Sequence, residues 1–287
     1  MHCEAREALL DPSASDLADR RYRALQGLLG SPEIALETVE TLERMSPDPV
    51  NKPALVSWLS EGVALNERRF EIRTALRCLA RVVRPRSYLE IGTRRGWSLA
   101  QVLAEAPDVS AWSVDMWMAG YGNVENPGPD FVRAELSRAV PAFRGQLSFL
   151  NGNSHDLLPF FLGGMDPEPG RPETFELARA GENRPRMFDL VTVDGDHTAL
   201  GAWWDLFDVF GHVAIGGAVV FDDLVDRSDE LYGARAETRY PHLRPELPVS
   251  KPSLLELWNH VKSAADNFSF IESLDASPPV AIAIRMH

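Results

Sequence analysis

The chain has 287 residues, enough to bury the core of one large domain or of one domain with an appendage. A formal charge of -13 and a pI near 5.0 argue against a nucleic-acid surface, which needs basic residues to displace counterions from phosphates. Two cysteines, Cys3 and Cys78, cannot make a disulfide framework or a cysteine zinc site, and neither a signal peptide nor a membrane-length apolar run is evident; a soluble cytoplasmic protein that handles a small molecule, with no nucleic acid or membrane as partner, is expected.

Residues 1 to about 80 carry helical periodicity: Leu17, Tyr22, Leu25, Leu28 and Leu29, then residues 34–45, then residues 70–83 ahead of Pro85. Pro47, Pro49 and Pro53 interrupt the pattern, so two or three short helices are expected. We read residues 1–80 as a helical extension that serves assembly or covers substrate, and residues 81–287 as the main domain; a homo-oligomer is the expected assembly.

From Ser87 onward strands alternate with helices. Residues 88–91, 110–115, 147–150, 188–194 and 218–222 read as successive strands, and residues 98–106 place Leu99, Val102, Leu103 and Ala106 on one helical face. Repeated strand–helix units imply a parallel sheet covered on both faces. After an amphipathic helix at 254–265 come strands at 268–274 and 280–286, joined by a link too short for a parallel crossover, which predicts an antiparallel pair. The fold class is therefore α/β: a Rossmann-like, seven-stranded, mostly parallel sheet with an antiparallel C-terminal strand. Residues 117–130 and 163–185, rich in glycine or proline, read as loops, the first on the functional edge.

The first strand ends in Glu90-Ile91-Gly92-Thr93-Arg94-Arg95-Gly96-Trp97-Ser98. Its two glycines permit a tight strand-to-helix turn close to a ligand, but their spacing departs from the dinucleotide fingerprint. An acid two places before the first glycine suits a cationic ligand better than a pyrophosphate. Asp115, ending the second strand, stands where doubly wound folds bind ribose hydroxyls. An adenosyl group with a positively charged tail satisfies both acids.

A second cluster lies at the ends of the fourth and fifth strands, where Asp194, His197, Asp222 and Asp223 put three carboxylates and an imidazole together. Carboxylates of this number suit a hard divalent cation such as magnesium, and a neutral imidazole beside it can take a proton near neutral pH. Asp196 in the same turn reads as a helix N-cap, and Trp203, Trp204 and Phe207 as core or helix–helix contacts.

On these motifs, over about residues 55 to 287, the chain resembles the class I S-adenosylmethionine-dependent methyltransferases, and most closely their metal-dependent O-methyltransferase branch, which includes macrolide-sugar enzymes and, by relationship, cephalosporin-hydroxylase-like proteins. The resemblance implies that Glu90, Gly92 and Gly96 hold the methionine part of the cofactor with Ser98 nearby, that Asp115 takes the ribose, and that Ser154 and His155 line the adenine. It also implies that Asp194, Asp222 and Asp223 hold magnesium or another divalent cation and that His197 is the general base. The expected reaction is methyl transfer from S-adenosylmethionine to a hydroxyl of a sugar or natural product. The competing expectations are a metal-binding hydroxylase-like protein on the same fold and a silent cofactor-binding or assembly protein.

Overall fold

The computed structural model describes residues 12–48, 51–120, 125–163, 184–225, 236–276 and 278–287, together with residues 166, 167, 171, 176, 177 and 179. Among the described residues, four helices precede the sheet: α1 (Pro12–Leu28), α2 (Pro32–Glu43), α3 (Lys52–Leu65) and α4 (Ile72–Val83). The alternation then runs β1 (Ser87–Ile91), α5 (Trp97–Glu105), β2 (Ser110–Asp115), α6 (Pro129–Ala139), β3 (Gln146–Asn151), α7 (Ser154–Phe161), β4 (Phe188–Val193), α8 (Ala199–Phe210) and β5 (Val213–Phe221). It closes with α9 (Leu254–Ala264), β6 (Phe268–Ser273) and β7 (Val280–Arg285). No helix among the described residues is long and apolar enough to cross a membrane.

The seven strands lie in the order β3-β2-β1-β4-β5-β7-β6. β1 to β5 pair in parallel, and β7 runs antiparallel to both of its neighbours, as the short link after β6 requires. β5 starts at Val213 rather than near Ala218, because the strand passes through Gly216 and Gly217 and its pairing with β4 shifts register between Phe188 and Leu190. Glycines that read as a boundary are here a strand irregularity.

Side-chain alternation divides the core in two. Tyr88, Leu190, Ala218, Val220, Ile282 and Ile284 face one side, where they pack with Leu25 of α1, Leu76 and Leu79 of α4, and Leu99 and Val102 of α5. Leu89, Val191, Val219 and Phe221 face the other, with Leu206 of α8 and Trp258 of α9. Each large side chain buried in this way contributes roughly 1.5–3 kcal/mol. α1, α2 and α4 thus share a core with the sheet, whereas Leu59 of α3 packs with Ala35 and Val39 of α2 in a separate cluster. Arg21 of α1 adds a polar tie, donating from Nη1 to the Gly216 carbonyl at 3.0 Å and from Nη2 to the Val83 carbonyl at 2.8 Å.

α4 begins in a capping box: Glu71 accepts from the main-chain N–H of Arg73 and of Thr74, each at 3.0 Å, and its own N–H donates to the Thr74 hydroxyl at 3.0 Å. Such a cap is worth about 1 kcal/mol and fixes where the helix starts. It also places Arg73 beside the carboxyl ends of β4 and β5, where Asp194 and Asp222 are its charged neighbours.

Candidate cofactor and metal site

The turn after β1 is shaped by close approach. Gly92 has φ +85°, and a Cβ there would overlap the carbonyl of Asp194 and come within 2.9 Å of the Gly195 Cα. β1 and β4 therefore converge at their carboxyl ends as only glycine allows. Gly96, at φ +76°, starts α5 and faces a methyl of Val132. Beneath the turn, Glu90 is wholly buried and accepts from the Ser98 hydroxyl at 2.6 Å and the Tyr88 hydroxyl at 2.9 Å. Burial outweighs these two bonds and pushes Glu90 up to about 8. Tyr88 was not singled out from the sequence, although it lies two residues before Glu90 on the same face of the strand.

Asp115 ties β2 to this turn. One carboxylate oxygen accepts from the main-chain N–H of Thr93 at 2.9 Å and of Arg94 at 2.8 Å. The other accepts from the Trp117 N–H at 2.6 Å and from the Asn126 amide at 2.9 Å. Four donors fill a carboxylate. Asn126 is the one side-chain donor among these four, hence the one that can leave the carboxylate without moving the main chain. Arg94 and Arg95 turn away from Glu90: Arg94 bonds Asp48 at 2.9 Å, and Arg95 bonds Glu125 at 2.7 Å with its guanidinium over Phe131.

Past β4 and β5 the structure brings Asp194, His197 and Asp223 together, one possible ligand atom from each lying within 4.8 Å of the others. The His197 ring is between the two acids, with Nε2 3.4 Å from Asp194 Oδ1 and Nδ1 3.1 Å from Asp223 Oδ2. Burial opposes a charge on this imidazole, yet the two carboxylates prevail and hold it up at about 9. The two acids thus favour the protonated ring, and any charge that neutralises them returns it toward its ordinary range. Asp222 is 4% exposed and lies beside the cluster, with one buried oxygen that has no hydrogen-bond partner. Its burial, followed by repulsion from Asp194 and Asp223, raises it well above the usual carboxylate range.

Among the described residues, Arg94, Trp117 and Asp223 are non-glycine residues at positive φ, at +47°, +53° and +57°. These three follow β1, β2 and β5 at one edge of the sheet, while Asn66, Arg84 and Lys251, also at positive φ, lie elsewhere.

Other sequence expectations fall differently. Ser154 opens α7 behind an Asn153 cap and is nearly buried, while the His155 ring turns inward, edge-on to Trp204 at 5.1 Å and 3.5 Å from Asp205. Burial disfavours its charge, but Asp205 more than compensates and holds it up at about 9. The His155 side chain thus belongs to a buried polar network that sequence reasoning missed, because Asp205 carries no local signal within an apolar helix. The cap of α8 is Thr198, which accepts from the Gly201 N–H at 3.1 Å; Asp196 instead accepts from the Thr198 N–H at 2.9 Å. Trp204 is buried and Trp203 donates to the Glu246 carbonyl at 2.9 Å, whereas Phe207 is exposed.

No curated protein matches the chain. Among solved structures, the O-methyltransferase TomG from Streptomyces achromogenes, involved in tomaymycin synthesis and solved with S-adenosylmethionine, is 17% identical, covering 84% of this chain and 91% of its own, at a TM-score of 0.47. The methyltransferase PaMTH1 of Podospora anserina, solved with S-adenosylhomocysteine, is 14% identical over 94% of this chain and 95% of its own, at 0.45. An O-methyltransferase from Bacillus cereus in complex with S-adenosylhomocysteine is 13% identical over 80% and 89%, at 0.43. Residues 89–224 match the family model described as a methyltransferase domain. That match spans most of β1 through the end of β5, so over this part the chain is similar to a methyltransferase domain.

Proposed function

We propose that the protein transfers a methyl group from S-adenosylmethionine to a hydroxyl of a small molecule, a sugar or a natural product, with magnesium or another divalent cation at the acid cluster. The observation that carries this reading is the meeting of Asp194, His197 and Asp223 at the edge of the sheet that also carries the glycine turn. Hard oxygen donors and an unpartnered buried oxygen on Asp222 fit a divalent cation held by Asp194, Asp222 and Asp223. When bound, such a cation lowers the pKa of an acceptor hydroxyl, and the sulfonium cofactor supplies an electrophilic methyl.

The chain's own residues do the rest. His197 takes the acceptor proton once its two carboxylate neighbours are engaged elsewhere. Glu90 faces the amino end of the cofactor, Gly92 and Gly96 let the main chain approach it, Asp115 takes the ribose, and the start of α7 at Ser154 and His155 borders the adenine. We assign the helices before β1 to enclosing the acceptor or to assembly; the exposed Leu36 and Leu65 on α2 and α3 favour a homo-oligomer. The scarcity of cysteine, two in the whole sequence, supports a cytoplasmic setting.

S-adenosylhomocysteine should bind the protein in calorimetry, and Asp115→Ala should weaken it by about 1–3 kcal/mol through loss of charge-assisted bonds to the ribose. Undiminished binding in that variant removes Asp115 from the ribose. Tight binding of NADH with none of S-adenosylhomocysteine overturns the cofactor reading.

Glu90 gives a pH signature. With its folded value raised from 4.5 to about 8, its contribution to the stability of the free protein is fully present below the unfolded value and is lost as pH rises through about 8. A cationic ligand favours the ionised form, so binding at pH 7 should release a proton and tighten as pH rises toward 8. Calorimetry in two buffers of different ionisation enthalpy measures that release; equal heats in both exclude Glu90 from the ammonium.

A further inference from the structure

Resting on the cofactor reading above, we propose that Arg73, from the helical segment ahead of the sheet, binds the α-carboxylate of the amino-acid half of the cofactor. The methionine half is a zwitterion, so a site that offers Glu90 to the ammonium also needs a cation for the carboxylate a bond or two away. Arg94 and Arg95 are nearest in sequence but are committed elsewhere: Arg94 to Asp48 and the Glu125 carbonyl, Arg95 to the Glu125 carboxylate and the Pro47 carbonyl. Arg73 stands at the right edge of the sheet. Its guanidinium lies over the ring of Trp97 at 5.6 Å, and Trp97 is the first residue of α5, directly after Gly96.

The guanidinium is held ready for a ligand. Nη1 donates to Glu71 Oε2 at 2.7 Å, and the other oxygen of Glu71, itself 1% exposed, is occupied by the cap of α4, so this ion pair has one geometry. Nε is buried and has no hydrogen-bond partner, an unsatisfied charged donor of a kind that is rare in folded proteins. The side chain as a whole is one fifth exposed. A planar fork held on one edge by a buried carboxylate and stacked on an indole suits a second carboxylate. The opposing view is that Arg73 is only a counter-ion for Asp222 and Asp194, its charged neighbours.

The two views separate on the ligand side. Calorimetry with S-adenosylhomocysteine and with its decarboxylated analogue, which keeps the adenosine, thioether and amine, isolates the carboxylate. The wild-type protein should prefer S-adenosylhomocysteine by about 10- to 100-fold, the size of a charge-assisted pair. Arg73→Ala should reduce that preference to about twofold or less while leaving the analogue's affinity unchanged, and Arg73→Lys, which keeps the charge beside Asp222 but lacks the fork, should fall between. Should the alanine variant not fold, the lysine variant carries the test, since a mere counter-ion would leave the preference intact there. Equal weakening of both ligands by either variant, or a wild-type protein without preference, overturns the assignment. A wild-type protein that binds neither ligand overturns the cofactor reading and this assignment with it, whereas loss confined to the carboxylate leaves that reading standing.

Discussion

Replacing His197 by alanine is expected to lower methyl transfer by about 10²- to 10⁴-fold, the usual size of a general-base effect, while S-adenosylhomocysteine binds as before. The imidazole lies against both Asp194 and Asp223, so under the proposed roles proton acceptance and cation binding would meet at one point. Losses at the acids should take a different form. Asp194→Ala and Asp223→Ala should raise the magnesium concentration needed for half-maximal rate, and excess magnesium should recover part of the activity, whereas no magnesium concentration should rescue His197→Ala. EDTA should silence the wild-type enzyme until magnesium is restored. The measurement is turnover of an identified hydroxyl acceptor across the three variants and a magnesium titration. Full activity in EDTA sinks the cation's role, and a wild-type rate for His197→Ala reduces that histidine to a residue that bridges two acids.

Gly92→Ala should cost about 3–5 kcal/mol of folding stability, a large share of what a domain of this kind possesses. Two costs add at this position. A left-handed φ of +85° disfavours any side chain, and the new Cβ would meet the Asp194 carbonyl and the Gly195 Cα, main-chain atoms that cannot move without shifting β4. Gly96→Ala shares the first cost, but its Cβ would come to 2.7 Å of a Val132 methyl, which can turn away. Urea denaturation of both variants tests the contrast. A midpoint for Gly92→Ala equal to that of the wild type, or above that of Gly96→Ala, would refute this account of how β1 and β4 converge.

The sheet was legible because buried parallel strands read as apolar runs, and the acids that stop those runs stand out against them: Glu90, Asp115, Asp194, Asp222 and Asp223 all sit in or just after a strand. Local pattern could not reveal partners distant along the chain. Nothing near Arg73 in sequence points to Asp194 or Asp222, and nothing in α8 marks Asp205 as the neighbour of His155. Asp196 illustrates a subtler difficulty. Aspartate and threonine both cap helices, and a two-residue difference in where α8 begins decides between them; the main-chain geometry selected Thr198. Likewise, Gly216 and Gly217 carry a turn signal, but here they sit in the irregularity between Val213, which pairs with Phe188, and Ala218, from which β5 pairs on both sides.

The bond from Arg21 to the Gly216 carbonyl joins positions 195 residues apart. During synthesis at about 5–20 residues per second, α1 leaves the ribosome roughly 10–40 s before the strand that receives it. Its apolar face, with Leu25 at the centre of the sheet-side core, has no β5 to dock on for that interval. Of the described helices, the first made is therefore among the last to find its place, and until α1 closes onto β5 its apolar face is open to chaperones or to other nascent copies.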